Sequence, residues 1–150
     1  MIRWLLQASD AIRDRGRKRR WTVDSAMGRR AEDMAHRFLQ KRGMVIVARN
    51  YRASFGGADL DLVGWEGGRL AIVEVKARSS ADAEPPEHAV DAEKQRLLER
   101  AARDFAARAG VEWNQVRFDV VSVIMGERPT IEWFARAFGT QHLDTAPDAS

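Results

Sequence analysis

Two acidic residues, Asp61 and Glu74, lie in apolar segments on either side of a Gly67-Gly68 pair. Apolar residues that alternate on both sides of two glycines predict two strands joined by a two-residue hairpin loop. If Glu66 pairs with Arg69 across that loop, Asp61 lies directly opposite Glu74, with the Cβ atoms about 4.5–5.5 Å apart. Carboxylates at that separation repel each other, and a divalent cation that prefers oxygen ligands, such as Mg²⁺, relieves the repulsion. The pair is therefore a candidate metal site.

Lys76 adds an acid–base group to this pair. It follows Glu74 by two residues, so both side chains point to the same face of the predicted strand. There the side chain can orient a metal-activated water as an ammonium, or deprotonate it as the neutral amine, which is the chemistry of phosphodiester hydrolysis. The pattern has a second explanation, because charged residues that alternate with apolar ones are also typical of a strand face exposed to water. A register changed by two residues would place Ile72, instead of Glu74, opposite Asp61.

A third carboxylate lies on the preceding predicted helix. Asp24 and Ser25 are favourable N-caps, apolar residues then recur at helical spacing, and the helix is expected to end near Gln40, before Gly43. On this helix Glu32 falls at the border of the apolar face. We expect its carboxylate to lean toward the core, and the alternative is a surface glutamate at the edge of the helix.

The predicted elements follow the order α-β-β-β-α-β-β, which describes an α/β fold with a mixed five-stranded sheet flanked by helices. The first three strands form a meander, and the helix between the third and fourth strands indicates a right-handed parallel crossover. On the second strand, Leu60 and Leu62 are expected on the face opposite to Asp61. Asp119 is expected to be structural and paired with an arginine. The expected strands cover 44–52, 58–64, 69–77, 116–125 and 130–134, and the second long helix covers 89–109.

Basic residues are concentrated at the start of the chain. Residues 1–30 contain nine Lys or Arg and three Asp, whereas the remaining 120 residues contain sixteen basic and nineteen acidic residues. We expect three parts: a basic N-terminal arm over 1–23, one folded domain over 24–138, and a flexible tail over 139–150. A basic arm usually contacts nucleic acid or an acidic surface, and the alternative is a solvated tail without a partner.

The composition excludes several classes of protein. The chain contains no cysteine, so it holds no disulfide, thiol nucleophile or thiolate zinc site, and its three histidines show no ligand spacing. It contains no run of 18 apolar residues, and the apolar start of the chain is too short for a signal peptide. We therefore expect a cytoplasmic protein that does not cross a membrane.

Taken together, these motifs resemble known families. Asp61, followed across a hairpin by Glu74-Val75-Lys76, resembles the PD-(D/E)xK signature of the restriction-endonuclease-like superfamily. A glutamate on the preceding helix, here Glu32, is similar to the variant found in archaeal Holliday-junction resolvases. From Gly28 to Phe138 the chain resembles the YraN-like family of uncharacterised bacterial proteins. The matching segments are GRRAEDMA, GMVIVARNYR, GGADLDLV, LAIVEVKAR, AVDAEKQRLLERAA, RFDVVSV and the closing AF, in this order.

The resemblance implies a three-layer restriction-endonuclease-like fold with a site formed by Glu32, Asp61, Glu74 and Lys76. It implies that Asp61 and Glu74 bind Mg²⁺ or Mn²⁺, that Glu32 supports them, and that Lys76 activates the water. Nucleic acid, and DNA in particular, is the implied partner, and the similarity to resolvases implies a homodimer. The candidate contacts to the phosphate backbone are the basic residues Arg29, Arg30, Arg78 and Lys94, each of which is otherwise a solvated side chain.

The function that the resemblance implies is that of a metal-dependent endonuclease acting on structured or branched DNA. The alternative is a non-catalytic nucleic-acid-binding module of the same fold. A third possibility is a protein that docks onto a partner through the basic arm alone. Fold by itself does not decide among them.

Overall fold

The structure, a computed structural model, describes residues 21–54, 56–79 and 90–139, with side chains from residue 25 onward. The predictions made for the arm up to residue 20, for residues 80–89 and for the tail from residue 140 lie outside these residues. The described elements follow the predicted order. They are helix α1 (Trp21–Lys41), strands β1 (Val45–Tyr51), β2 (Leu60–Glu66) and β3 (Arg69–Arg78), helix α2 (Ala92–Ala109), a short 3₁₀ turn (Trp113–Gln115), and strands β4 (Val116–Ile124) and β5 (Thr130–Phe138).

Helix α1 begins at Trp21, before the predicted cap at Asp24, so the expected boundary between arm and domain falls inside the helix. Asp and Ser favour caps, but nothing in the preceding residues breaks a helix, and α1 continues through them. The helix ends close to its predicted end. Gly43 has a φ of 94°, and the Met44 N–H donates to the carbonyl of Leu39 at 3.0 Å.

Helix α2 is fixed at both ends by its caps. Asp91 accepts a hydrogen bond from the Lys94 backbone N–H at 2.8 Å, and Gly110 ends the helix with a φ of 70°. The helix begins at Ala92, later than the predicted Ala89, because Asp91 is extended and takes the cap position. Within the described residues, neither long helix has an apolar stretch sufficient to cross a membrane.

The two helices cover opposite faces of the sheet. Ile72 of β3 belongs to the core that α2 covers, whereas its neighbour Val73 belongs to the core that α1 covers. Successive strand residues point to opposite faces, so the molecule has three layers: helix, sheet and helix. The buried residues that the helices contribute are Ala31, Ala35 and Leu39 from α1, and Leu98, Ala101, Ala102 and Ala106 from α2.

The five strands form one mixed sheet in the order β1-β2-β3-β4-β5. Strands β1, β2 and β3 form an antiparallel meander, β3 and β4 are parallel, and β4 and β5 are antiparallel. The predicted meander and parallel crossover are confirmed. Glu66 pairs with Arg69 across the Gly67-Gly68 loop, so the predicted hairpin register is also confirmed.

The face predicted for Leu60 is wrong. Leu62 packs on the α1 side, but Leu60 packs on the α2 side together with Tyr51, its partner on β1. On the neighbouring strand, Asn50 has a left-handed φ of 49°, which interrupts the alternation of β1. Tyr51 therefore turns to the α2 face, and Leu60 lies beside it.

Tyr51 connects the edge of the sheet to α2. Its hydroxyl donates to Asp104 Oδ2 at 2.5 Å, and its ring packs edge-on against Phe105 with the centroids 5.0 Å apart. Burial and the hydrogen bond to the Asp104 carboxylate raise the pKa of Tyr51 to about 12. Arg108 lies one helical turn further on, with its Nε 3.3 Å from Asp104 Oδ2.

Asp119 of β4 is fully buried and is paired with an arginine, as predicted. Its carboxylate accepts hydrogen bonds from Arg117 Nε at 3.2 Å, from Trp133 Nε1 at 2.9 Å and from the Arg136 backbone N–H at 3.0 Å. Arg136 has a φ of 53°, so β5 is irregular at this point. Strand β5 nevertheless continues to Phe138, beyond its predicted end, because Asp119 supplies an acceptor where the ladder is interrupted.

Candidate active site

The candidate site lies where β2 and β3 separate. The paired residues of the two strands end at Leu62 and Val73, and one further step along the same register leads to Asp61 and Glu74. Beyond the last pair, Asp61 Oδ2 accepts a hydrogen bond from the Val75 backbone N–H at 2.9 Å. The side chain of Asp61 thus binds a backbone N–H of β3, and this hydrogen bond holds the carboxylate at the gap between the strands.

Glu74 is buried, and its two oxygen atoms have different surroundings. Oε1 lies 3.5 Å from Lys76 Nζ and 3.7 Å from Lys94 Nζ. Oε2 is buried and has no hydrogen-bond partner. A buried acceptor without a partner is uncommon in proteins and costs free energy, because it has lost its water without a replacement. This oxygen is therefore open to a ligand that the protein chain does not supply.

The two carboxylates fit a divalent cation. Mg²⁺ and Mn²⁺ prefer oxygen ligands, and Mg²⁺ is usually held by one or two carboxylates together with waters and phosphate oxygens. Asp61 and Glu74 are both at most 5% exposed, and Glu74 Oε2 is an acceptor of the required chemistry. In residues 21–54, 56–79 and 90–139, no three His, Cys, Asp or Glu side chains are grouped to hold one metal ion. Asp61 and Glu74 would thus hold the cation as a pair.

Glu32 lies on α1 and is 8% exposed, which agrees with its predicted lean toward the core. Arg49 of β1 pairs with it at 3.8 Å and with the adjacent Asp33 at 2.8 Å. The sequence analysis did not single out Arg49. Its only signal was a basic residue inside an otherwise apolar strand, which by itself is common. The structure thus places a guanidinium beside Glu32, which is compatible with a supporting role.

His36 lies one turn beyond Glu32 on α1. Its Nδ1 is buried and has no hydrogen-bond partner. Burial and the nearby Arg49 guanidinium lower the pKa of His36, and the carboxylate of Asp33 opposes them. The imidazole is therefore kept in its neutral form at neutral pH.

The four predicted phosphate contacts lie in different surroundings. Arg29 and Arg30 are exposed on α1, and Arg78 is half-buried at the end of β3, where its carbonyl accepts the Met125 N–H at 2.7 Å. Of these four residues, Lys94 is the one whose ammonium group lies beside the carboxylates, because its Nζ contacts Glu74 Oε1. The structure therefore gathers Asp61, Glu74, Lys76 and Lys94.

This arrangement can do specific chemistry. Two buried carboxylates include one acceptor oxygen without a partner, and two ammonium groups lie beside Glu74 with about a third of each side chain exposed. The carboxylates suit a cation, and the ammonium groups suit an anion or a proton-transfer step. The combination matches a phosphodiester together with a divalent cation.

Comparison with known sequences places the chain in a family. It matches the model of the uncharacterised protein family UPF0102 over residues 31–123, a range that contains Glu32, Asp61, Glu74, Lys76 and Lys94. A UPF0102 protein of Solibacter usitatus (strain Ellin6076) is 56% identical over 138 residues, covering 92% of this chain and 100% of the relative. One from Rhodococcus jostii (strain RHA1) is 40% identical over 115 residues, covering 75% and 96%, respectively. One from Alkaliphilus metalliredigens (strain QYMF) is 34% identical over 116 residues, covering 77% and 100%. The expected YraN-like membership is thereby confirmed, and the chain belongs to the uncharacterised protein family UPF0102.

Proposed function

We propose that this protein is a metal-dependent endonuclease that hydrolyses phosphodiester bonds in structured or branched DNA. The observation that carries the proposal is the pair Asp61 and Glu74, buried at the gap between two strands, with Glu74 Oε2 lacking a partner. Mg²⁺ or Mn²⁺ bound there would polarise the phosphate and lower the pKa of the attacking water. The resemblance to restriction-endonuclease-like enzymes and archaeal resolvases supports the same class of reaction.

The chain's own residues have distinct roles in this proposal. Asp61 is oriented by the Val75 N–H, and Glu74 has two ammonium groups beside its Oε1, so the charge of that carboxylate is partly balanced before a cation arrives. Lys76 lies beside them, and its Nζ would orient the attacking water as an ammonium or accept the proton of that water as the neutral amine. Glu32, held by Arg49, supports the site from α1. Exposed basic side chains such as Arg29 and Arg30 neutralise neighbouring phosphates.

Cleavage of a four-way DNA junction in Mg²⁺ or Mn²⁺ tests the proposal. Asp61→Asn and Glu74→Gln keep the shape of the side chains and remove the charge that a cation needs. We expect each to lower the rate by at least about 10²-fold, and Lys76→Met to lower it by about 10²–10⁴-fold, as expected for the loss of an acid–base group. Glu127→Gln is the matched control, because Glu127 is an exposed carboxylate in the turn between β4 and β5 and should leave the rate unchanged. Equal cleavage by the wild type and all variants would identify a contaminating nuclease and refute the proposal.

A non-catalytic nucleic-acid-binding module is the second candidate, and one observation favours it. Glu74 Oε1 is already paired with two lysines, so the carboxylate is partly neutralised without a metal. In that case the wild type binds the junction without cutting it, and Asp61→Asn binds it as tightly as the wild type.

A branched substrate has two strands to cut, so we further propose a homodimer, which sedimentation of the protein with and without the junction would detect.

A further inference from the structure

Lys94 reaches the candidate site from a different element than the other residues. It lies in the first turns of α2, where its backbone N–H binds Asp91, and its Nζ extends to within 3.7 Å of Glu74 Oε1. Lys76, by contrast, is on the same strand as Glu74 and on the same face. The side chain of Lys94 is 35% exposed and has several rotatable bonds, so its ammonium can move while α2 stays in place.

The contact between Lys94 and Glu74 is a loose one. Direct hydrogen bonds between an ammonium and a carboxylate are about 2.7–2.9 Å long, whereas the two lysines lie 3.5 Å and 3.7 Å from the same oxygen. Partly exposed ion pairs of this kind are worth little, equivalent to about a two- to five-fold change in an equilibrium constant. A stronger ligand for Glu74, or a stronger partner for Lys94, is therefore sufficient to separate them.

We propose that Lys94 is a displaceable counter-ion of Glu74, which pairs with the carboxylate in the free protein and passes to a phosphate oxygen of the DNA when a divalent cation binds. The inference rests on the proposed function. Lys76 stays beside Glu74 because both side chains project from the same face of β3. Lys94 can leave because its long side chain projects from α2, so its ammonium can move away from Glu74 while the helix stays in place. Cation and DNA then strengthen each other's binding through one positioning residue, since each gives one half of the Lys94–Glu74 pair a better partner.

Calorimetric titration with Mn²⁺, without DNA, tests the first half of the inference. Lys94→Met removes the competitor for Glu74, so we expect it to bind Mn²⁺ about two- to five-fold more tightly than the wild type. Arg96→Met is the matched control, because Arg96 is an exposed cation on the same helix, and its affinity should equal that of the wild type. Lys94→Arg keeps the charge and should not show the gain. Thermal unfolding of each variant verifies that the fold is intact.

The salt dependence of junction binding tests the second half. The measurement uses the Lys76→Met background, in which the proposed water activation is removed and the DNA stays intact. With Mn²⁺ present, adding Lys94→Met should reduce the slope of log affinity against log salt by about 0.9, the value for one phosphate contact. Without Mn²⁺ the slope should not change, because Lys94 is then paired with Glu74.

The outcomes separate this inference from the proposed function. If Asp61→Ala loses Mn²⁺ binding but Lys94→Met binds Mn²⁺ like the Arg96→Met control, the metal site stands and the counter-ion role is overturned. A slope that falls equally with and without Mn²⁺ makes Lys94 a permanent phosphate contact and likewise overturns it. If the wild type binds no Mn²⁺ at all, both the proposed function and the inference fail.

Discussion

Tyr51 is the single tyrosine of the chain, and its surroundings make it a probe of one hydrogen bond. Burial and the carboxylate of Asp104 both favour the neutral phenol, so they raise the pKa of Tyr51 from 10.0 to about 12. The unfolded chain then loses this proton at a lower pH than the folded chain does. The contribution to stability is complete below pH 10 and is lost as the pH rises through the folded-state pKa.

Spectrophotometric titration checks this value directly. We expect the phenolate absorbance near 295 nm to appear with a midpoint near pH 12 in the folded protein and near pH 10 in denaturant. Asp104→Asn keeps the packing but removes the negative charge, so its midpoint should lie between the two. A folded-state midpoint near pH 10 would contradict the buried hydrogen bond between Tyr51 and Asp104.

His36 provides a second test at this scale, with the opposite pH window. Its pKa is lowered in the folded protein, so the unfolded chain binds a proton at a pH at which the folded chain does not. The contribution of His36 to stability is therefore present above its unfolded pKa of 6.5 and is lost as the pH falls below it. We expect the melting temperature of the wild type to fall more steeply from pH 7 to pH 5 than that of His36→Gln. Parallel curves for the two proteins would show that burial of His36 does not control its protonation.

At the scale of the elements, Asp119 holds β4 and β5 together where their ladder is interrupted. Burial alone would lower the pKa of Arg117, but the carboxylates of Asp119 and Glu66 outweigh it and raise that pKa. The guanidinium of Arg117 therefore stays charged inside the protein, where Asp119 is its buried partner. Asp119 also accepts the Trp133 and Arg136 donors, so one side chain satisfies three groups of two strands.

We expect Asp119→Ala to lower the free energy of unfolding by about 3 kcal/mol, because it leaves a buried arginine and an indole N–H short of an acceptor. Glu66→Gln is the control on the same arginine. Glu66 is partly exposed, so its loss should cost about 1 kcal/mol or less. Urea unfolding of the two variants and the wild type measures the difference. If both variants lost the same free energy of unfolding, Glu66 at the rim of the sheet would stabilise the protein as much as Asp119 does, which would contradict this prediction.

The hairpin and the helices show what the sequence can predict at this scale. A Gly67-Gly68 loop permits few turn types, so it fixes the register of β2 and β3 and places Asp61 near Glu74. The face of Leu60 was not predictable from alternation, because Leu60 and Leu62 lie on opposite faces of the sheet although both belong to β2. The starts of the helices differ from prediction by a few residues, because α1 extends past the favourable caps at Asp24 and Ser25, and Asp91 caps α2 after the predicted start at Ala89.

The candidate site shows a similar limit. Asp61, Glu74 and Lys76 could be identified because local pairing brings them together within one hairpin. The contact between Lys94 and Glu74 was not predictable, because it depends on how α2 lies on the sheet after a long connection. The pairing of Glu32 with Arg49 likewise depends on packing between a helix and a strand. Contacts within a helix, a strand or a hairpin follow from spacing, whereas contacts between a helix and the sheet require the fold.

At the scale of the whole molecule, charge is divided unequally along the chain. Residues 1–30 have more basic than acidic residues, whereas the remainder has a small excess of acidic ones. DNA needs a positive surface, and each neutralised phosphate adds to the salt dependence of binding. The excess of basic residues in the first part of the chain makes that part the main candidate for sequence-independent attraction.

Removal of residues 1–20 tests this assignment. We expect weaker binding to a DNA junction and a shallower slope of log affinity against log salt, with the rate of cleavage of bound DNA unchanged. Replacement of the basic residues in 13–20 by Gln is the matched control, because it keeps the length and removes only charge. An unchanged slope in both proteins would exclude the arm as a DNA contact.

The order of the strands in the sheet also has a consequence for synthesis of the protein. Because each strand lies beside the one that precedes it in the chain, the sheet can grow from one edge as the polypeptide leaves the ribosome. No later strand has to be inserted between two that are already paired. The slow step is the closure between Leu70 and Val116, which must wait until α2 has been made. Until then the β1–β3 meander exposes the edge of β3, the strand that carries Glu74, and a nascent chain stalled at this stage would be the most prone to aggregate.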